Sequence, residues 1–180
     1  MQITVKNSIL ELVQGDIVHQ EVEAIVNAAN TTLLGGGGVD GAIHRVAGPE
    51  LLEHCKKLGG CNTGDAKLTP GFRLKARYVI HTVGPVYRDG KGKESALLAS
   101  CYQRSLEVAK ENQIKSIAFP SISTGAYRYP LHEASRIALD SITHFLDEHE
   151  SPEIVRFVLF GEEAFQTYRQ TLLEISRKHP

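Results

Sequence analysis

Four consecutive glycines, Gly35–Gly38, place the strongest constraint on what this chain can fold into and bind. Because glycine has no Cβ, such a run lets the backbone come within hydrogen-bonding distance of a ligand. A helical-looking segment, Val39–Ala47, follows at once. Free backbone N–H groups and the positive end of the helix dipole therefore point to one place, which attracts phosphate. The sequence predicts a ligand that carries phosphate.

The segment before the glycines is first apolar and then polar. Ala24-Ile25-Val26 leads into Asn27-Ala28-Ala29-Asn30, whose two amides can donate and accept hydrogen bonds. A ligand with hydroxyl groups needs such partners, and Asp40 stands where a reaction on it could occur. The alternative for Gly35–Gly38 is a tight turn, although turns seldom need four adjacent glycines.

Length and charge limit the classes of protein to which the chain can belong. A chain of 180 residues fits one domain, 1–180, with a single core that buries about 70% of the unfolded surface. The net charge of −1 argues against a broad basic face for nucleic acid. The N-terminus lacks the layout of a signal peptide, and no apolar run is long enough to span a membrane. We expect a cytoplasmic protein with no membrane segment and with nucleic acid an unlikely partner.

The three cysteines, Cys55, Cys61 and Cys101, give no disulfide framework, because their number is odd and no CxxC motif is present. A zinc site drawing on His54, Cys55 and Cys61 is conceivable from their spacing. No second pair of ligands accompanies it, so reduced structural thiols and no metal are the better interpretation.

Strand and helix patterns alternate along the chain. Runs rich in Ile, Val and Leu predict strands, and apolar residues at helical spacing predict helices. The predicted strands are Ser8–Gln14, Val22–Asn27, Arg77–Val83, Lys115–Phe119 and Ile154–Phe160. The predicted helices are Val39–Ala47, Glu50–Lys57, Glu94–Glu111, one that begins at Pro130 and includes Phe145, and a last one that includes Phe165 and Ile175. Surface loops are predicted at Gly59–Gly71 and Asp89–Lys93.

Three segments, Val79–Val83, Ile117–Phe119 and Val155–Phe160, are nearly continuous in apolar residues, which is typical of a sheet covered on both faces. The alternation predicts an α/β sandwich that is largely parallel in its later half. Ligands of such sheets bind beyond the carboxyl ends of the strands. Three loops leave those ends, namely Asn27–Val39, Gly84–Arg88 and Pro120–Pro130. The third carries hydroxyls and a glycine and can close over phosphates opposite the first.

Six ordered motifs together resemble the macrodomain family, specifically its MacroD-like branch of enzymes that process ADP-ribose. They are Gln14-Gly15-Asp16-Ile17, Ile25–Asn30, Gly35–His44, Ala47-Gly48-Pro49, His81–Pro85 and Phe119–Gly125. The resemblance covers nearly the whole chain. It implies a three-layer α/β/α sandwich around a central six-stranded mixed sheet, with ADP-ribose bound across the strand ends.

The resemblance also implies an activity and its substrates. The chain is expected to be a hydrolase that removes mono-ADP-ribose from acidic side chains of proteins and deacetylates O-acetyl-ADP-ribose. ADP-ribose, O-acetyl-ADP-ribose and mono-ADP-ribosylated proteins are the expected partners. No cofactor is expected, and the Cys-His zinc motif of another macrodomain class is missing. Two rival functions are a non-catalytic reader of ADP-ribose and a protein or RNA partner that regulates RNA processing.

At the adenine end, the resemblance implies that Asp16 accepts a hydrogen bond from the adenine amino group. The backbone of Ile17 is expected beside it, and Phe160 is expected to pack against the base. From the residues alone, Asp16 is more often a turn residue and a strand Phe more often a core residue.

The diphosphate is expected on backbone N–H groups of two loops, and the distal ribose beside Asn30 and Tyr127. Asn30 could instead cap a turn, and Tyr127 could be a rim aromatic without a ligand role. The loop residues are Gly35, Gly36, Gly37, Gly38 and Val39 in the first loop, and Ser123, Thr124, Gly125, Ala126 and Tyr127 in the second.

Asp40 is the expected catalytic residue, with Asn30 and His44 beside it. It would activate or position a water at the distal ribose, helped by the phosphate of the ligand. His44 lies four residues on, and so on the same helical face, where it either orients Asp40 or covers the helix. A carboxylate stabilised by a helix N-terminus is the plain alternative for Asp40. Arg128 departs from the branch, which commonly has glycine there.

Overall fold

A mixed sheet of seven strands organises the chain, and the structure, a computed structural model, describes residues 1–178. The strands are β1 (Gln2–Val5), β2 (Ser8–Gln14), β3 (Ala24–Ala29), β4 (Ala66–Pro70), β5 (Tyr78–Val83), β6 (Ser116–Phe119) and β7 (Ile154–Leu159). The helices are α1 (Gly38–Ala47), α2 (Pro49–Lys56), α3 (Glu94–Glu111), α4 (Leu131–His149) and α5 (Glu162–Lys178), with a 3₁₀ turn at Ile17–His19.

The strands lie in the order β1-β2-β7-β6-β3-β5-β4. The five inner strands run parallel, and the two edge strands, β1 and β4, are antiparallel to their neighbours. The sheet is therefore mixed, as expected, but the expected count of six strands is wrong by one. The predicted surface loop Gly59–Gly71 is also wrong in part, because Ala66–Pro70 forms β4. A short edge strand with half-exposed residues lacks the continuous apolar pattern that predicted the inner strands.

The sheet is covered on both faces, so the predicted α/β/α sandwich is confirmed. Helices α3, α4 and α5 cover one face, while α1, α2 and the 3₁₀ turn cover the other. Alternate strand residues belong to different cores, as the pleat requires. Val26 and Ile80 pack in the first core, and their neighbours Ile25 and Val79 pack in the second. No helix within residues 1–178 is long and apolar enough to cross a membrane.

The topology creates a crevice between the ends of β3 and β6, which are parallel neighbours. The chain leaves β3 toward α1 on one face, and it leaves β6 toward α4 on the other face. Two loops that diverge in this way leave a crevice at the carboxyl ends of the strands, where open α/β sheets bind ligands.

Candidate active site

A cleft of about 560 Å³ occupies this crevice, a volume within the range of small-molecule sites. Its walls come from the end of β3, the glycine loop with the start of α1, the loop after β6 and the end of β7. The lining residues are Ala28, Ala29, Asn30, Gly36, Gly37, Gly38, Val39, Asp40, Gly84, Pro120, Ser121, Ile122, Ser123, Thr124, Gly125, Ala126, Tyr127, Val158, Leu159, Phe160 and Ala164.

The glycine loop approaches Asp40 closely at one position. A Cβ on Gly36 would lie 3.1 Å from Asp40 Oδ2 and 3.6 Å from Asn30 Nδ2, closer to the carboxylate than most side chains come. Gly37 is the N-cap of α1 and Asp40 lies in the first turn of that helix. The unpaired N–H groups of the first turn therefore face the cleft together with the positive end of the dipole.

Asn30 holds the glycine loop in shape. Its Nδ2 donates to the carbonyl of Gly35 over 3.0 Å, and its Oδ1 accepts from the backbone N–H and the hydroxyl of Thr32 at 3.2 and 2.6 Å. The turn-capping interpretation of Asn30 is therefore correct. Asn30 also lines the cleft, so it can act on a ligand as well.

The loop after β6 is anchored by side chains of the core. Tyr168 shares a hydrogen bond of 2.8 Å with Ser121 Oγ, and Tyr102 Oη accepts from the backbone N–H of Ile122 over 3.1 Å. Burial raises the pKa of Tyr168 to about 12, so its hydroxyl stays neutral. Ser123 has a φ of +66°, and its buried hydroxyl has no hydrogen-bond partner among residues 1–178. The loop is thus held from below by two buried tyrosines.

Asp40 is buried, with only 5% of the residue exposed. Its Oδ1 accepts a hydrogen bond of 2.8 Å from Asn27 Nδ2, and His44 Nε2 lies 3.4 Å from the same oxygen. The second oxygen, Oδ2, is the one beside Gly36. One carboxylate oxygen is therefore held from behind, while the other lies beside the glycine loop.

Asn27 was expected to face the ligand together with Asn30, and this expectation is wrong. Asn27 is fully buried, and its Nδ2 lies 3.1 Å from Nδ1 of the buried His81. Burial, with the nearby charges of His44 and His54, lowers the pKa of His81 to about 3, so this imidazole is neutral. The local sequence does not predict the contact of Asn27 with Asp40 or its contact with His81. The available signal was a polar residue in the middle of each of two apolar strands.

The other end of the cleft is more open. Phe160 is 84% exposed and lines the cleft, so it is not a core residue. Asp16 accepts from the backbone N–H of Val18 over 3.1 Å and caps the 3₁₀ turn. A backbone hydrogen bond of 3.0 Å from Gly15 to Leu159 joins the two strand ends. Asp16 and Phe160 therefore follow neighbouring parallel strands at the same edge of the sheet.

Most of the expected site residues line one cleft, and four do not. Those four are Asp16, Ile17, Gly35 and His44. Ile17 is buried. Gly35 is one residue before the lining part of its loop and has the left-handed φ of +90°. Arg128, beyond Tyr127, is exposed and has a φ of +60°, a conformation that favours the glycine common in the related branch.

The cysteines lie away from the cleft. All three are free and buried. Burial, with repulsion from Asp40, raises the pKa of Cys55 to about 11, and burial raises the pKa of Cys101 to about 11 as well. These groups are therefore neutral thiols. Within the described residues, no group of three His, Cys, Asp or Glu side chains is placed to hold a metal ion.

Residues 26–138 match the model of the Macro domain family. The chain belongs to the macro domain family. The ADP-ribose glycohydrolase MACROD2 of Xenopus laevis is 52% identical over 98% of this chain, which spans 44% of that protein. The O-acetyl-ADP-ribose deacetylase of Salmonella newport is 49% identical over 92% of this chain and 94% of its own length. A macrodomain of Oceanobacillus iheyensis, solved with ADP, has a TM-score of 0.96 and 45% identity, covering 99% of this chain and 97% of its own.

In this macro domain the two loops give the cleft its chemistry. Backbone N–H groups, rather than basic side chains, line the part between Gly36 and Gly125, and this is suited to a phosphate-bearing ligand. Asp40 is a carboxylate at the edge of that part. The arrangement places a group that can hold or accept a proton next to an anion-binding loop.

Proposed function

We propose that this macro domain is a hydrolase that binds ADP-ribose, removes mono-ADP-ribose from acidic side chains of proteins and deacetylates O-acetyl-ADP-ribose. The observation that carries the proposal is the Asp40 carboxylate, buried and held by Asn27, beside the glycine loop in the cleft. A protein that only reads ADP-ribose needs the loops but has no need of this carboxylate.

The proposed pose follows the cleft from end to end. Asp16, the Ile17 backbone and Phe160 contact adenine. The diphosphate lies between the glycine loop and residues 123–127, and the distal ribose lies beside Asn30 and Tyr127. Because the two loops present backbone N–H groups from opposite sides, the diphosphate is held without a basic side chain.

The proposed reaction is hydrolysis of an ester at the distal ribose. Both substrates carry such an ester on the same bound nucleotide, so one site serves both. Oδ2 of Asp40 lies beside Gly36, where it positions a water and takes up its proton together with the phosphate of the ligand. Asn30 orients the ribose. His44, 3.4 Å from Oδ1 of Asp40, supports the orientation of the carboxylate.

The setting of this activity is also part of the proposal. We place the chain in the cytoplasm as one macro domain, residues 1–180, which acts on mono-ADP-ribosylated proteins. The support is that all seven strands belong to one sheet and that all three cysteines are free thiols. The net charge of −1 disfavours a role in binding nucleic acid.

The test combines turnover with binding. The protein is incubated with glutamate-linked ADP-ribosylated protein and with O-acetyl-ADP-ribose, and released ADP-ribose is measured. Thermal unfolding is followed with added ADP-ribose, because a ligand that binds only the native state raises the unfolding temperature. Release from both substrates and a thermal shift are expected. A thermal shift without release would identify a reader. If neither a thermal shift nor release is seen, ADP-ribose is not the ligand.

A further inference from the structure

A row of buried polar side chains lies behind Asp40 and does not reach the cleft. Asn27 Nδ2 is 2.8 Å from Asp40 Oδ1 and 3.1 Å from His81 Nδ1. His81 Nε2 is 2.9 Å from Thr69 Oγ1 and 3.9 Å from Cys55 Sγ. Asn27, Thr69 and His81 are fully or almost fully buried. Nothing in the proposed reaction uses these three side chains directly.

The donors and acceptors of this row can be assigned in only one consistent way. An ionised carboxylate accepts and cannot donate, so the amide nitrogen of Asn27, with its two hydrogens, faces Asp40. Its second hydrogen points to Nδ1 of His81, which must accept. The proton of the neutral imidazole is therefore on Nε2 and is donated to Thr69. The reversed amide would place its oxygen against the carboxylate.

The row is built on the sheet itself. Asn27 and His81 are direct partners in the pairing of β3 with β5, and Thr69 lies on β4, the next strand. Side chains on paired strands hold their positions more firmly than side chains on loops. By contrast, Asp40 lies in the first turn of α1, which follows a loop of glycines. The N-terminus of a helix stabilises a carboxylate but does not fix its rotation.

The row is also costly if its only role is packing. Oδ1 of Asn27 is buried and has no hydrogen-bond partner in the part of the chain that the structure describes. An unpartnered buried oxygen destabilises a fold, whereas an apolar residue in this strand would not. The hydrogen bond that the amide nitrogen donates to Asp40 accounts for an amide at this position.

We propose that Asn27 and His81 are positioning residues that fix the Asp40 carboxylate, with Oδ1 held from behind and Oδ2 turned to the glycine loop. This inference rests on the proposed hydrolase function. His81 suits the role because it is neutral over the physiological range. A protonated imidazole would have no acceptor at Nδ1 and would break the row.

Two substitutions at His81 separate positioning from packing. His81→Leu replaces the acceptor by an apolar side chain that can fill the buried space, and His81→Asn keeps an oxygen acceptor near the position of Nδ1. The matched control is Thr82→Val, on the same strand as His81 but away from Asp40. It removes the hydrogen bond of 2.8 Å that the buried Thr82 hydroxyl donates to the carbonyl of Asp65. Each variant is measured for single-turnover release of ADP-ribose, ADP-ribose affinity and thermal stability.

We expect His81→Leu to slow release by about 10- to 100-fold, by analogy with the loss of partners that orient metal ligands. Its ADP-ribose affinity should stay within about threefold of the parent, because the phosphates are held by backbone groups. His81→Asn should recover most of the rate. Thr82→Val should lose stability and keep the parent rate.

Three results would overturn the inference. Equal rates for His81→Leu and the parent exclude positioning, and equally slow His81→Leu and His81→Asn variants show that the acceptor is irrelevant. A rate that follows thermal stability across all variants, Thr82→Val included, assigns the row to folding. If His81→Leu does not fold, Asn27→Leu replaces it, because this change of similar size removes the donor to Oδ1 of Asp40; a rate equal to that of the parent would then contradict the proposal. A parent protein that binds ADP-ribose without turnover removes the proposed function itself, a different result from a parent that turns over beside an unaffected variant.

Discussion

The two ends of the cleft are built in opposite ways. At the Asp40 end, the residue is 5% exposed and its carboxylate is hydrogen-bonded to Asn27, which contacts His81 on the neighbouring strand. At the end proposed for adenine, Phe160 is 84% exposed. Asp16, which follows the neighbouring strand β2, accepts a hydrogen bond from the backbone N–H of Val18 in its own turn. One end is organised before a ligand arrives, whereas the other gains its contacts only when a ligand binds.

This difference separates rate from affinity. A buried polar group has already lost its water during folding, so it is in place for chemistry at no further cost. An exposed phenyl ring gains free energy only when something covers it. Changes at the Asp40 end should therefore affect turnover, and changes at the open end should affect binding.

The largest effect is expected from Asp40→Ala. Release of ADP-ribose should slow by about 10²–10⁴-fold, the usual contribution of a positioned acid or base. ADP-ribose affinity should be kept or slightly raised, because a carboxylate that repels the phosphates is gone. Single-turnover release beside a binding titration measures both. Asp40→Asn is the control that preserves the shape of the side chain. A rate of release equal to that of the parent protein in either variant would remove Asp40 from the mechanism.

Gly125→Glu tests the middle of the cleft, which both ends share. A Cβ at Gly125 meets no atom within 4 Å, so the variant should fold. Its charge should weaken ADP-ribose binding by about 10- to 10³-fold, from like charges a few ångströms apart near the surface. Gly125→Gln has the same bulk without the charge and should bind more tightly than Gly125→Glu. Near-parent affinity in the folded glutamate variant would mean that this loop does not hold the diphosphate.

The buried end should also make stability depend on pH. The pKa of His81 is about 3 in the fold and about 6.5 in the unfolded chain. Below pH 6.5 the unfolded state therefore binds a proton that the native state does not bind. The free energy of unfolding consequently falls as the pH is lowered from 6.5 toward 3. Between pH 7 and pH 5 the parent should lose about 2 kcal/mol more than His81→Asn, which does not titrate. Urea unfolding at the two pH values measures the difference, and parallel losses would contradict a neutral buried His81.

Asp16→Ala addresses the open end. It should weaken ADP-ribose by roughly tenfold, since a hydrogen bond to a charged group is worth about 1.5 kcal/mol at an accessible site. Ribose 5-phosphate, which has no adenine, should be unaffected. Asp16→Asn keeps an oxygen to cap the 3₁₀ turn and controls for loss of the cap. Equal weakening of both ligands would assign Asp16 to folding.

The smallest effect is expected from Phe160→Ala. Affinity for ADP-ribose should fall by about three- to tenfold, because an aromatic contact is worth about 0.5–1.5 kcal/mol. The unfolding temperature without ligand should not change, since the ring is 84% exposed. Phe160→Tyr keeps the ring and should bind as the parent does. A clear loss of stability in the alanine variant would contradict the open character of this end.

The sequence was most informative where the signal is local. β2 is rich in Ile, Leu and Val, and α3 has apolar residues at helical spacing, so both are predicted with the bounds that the structure has. Gly35–Gly38 marked one wall of the cleft for a similar reason, because four adjacent glycines have few other uses. The open rim was predicted through resemblance to a family, since an aromatic residue at a strand end is ambiguous by itself.

The features of the fold and of the site that the sequence does not predict depend on contacts between distant parts of the chain. The edge strand β4 is short and half-exposed, and it is a strand only because β5 pairs with it. The contact of Asn27 with His81 joins residues 54 positions apart and exists only in one register of β3 against β5. Local spacing therefore assigned Asn27 to the ligand, whereas the sheet register assigns it to Asp40.

The pairing of β2 with β7 sets the order in which the molecule can be assembled. Ile9 pairs with Ile154, and Gln14 pairs with Leu159. This pairing of β2 can therefore form only after β7, the last strand, has been synthesised. During synthesis, which proceeds from the N-terminus, β3, β5 and β6 emerge well before β7. The end of the cleft that holds Asp40 can therefore form on a partial chain, while the end with Phe160 must wait for this distant pairing, which is slow to form. A chain caught between these stages would have its reactive carboxylate in place before its contacts with adenine exist.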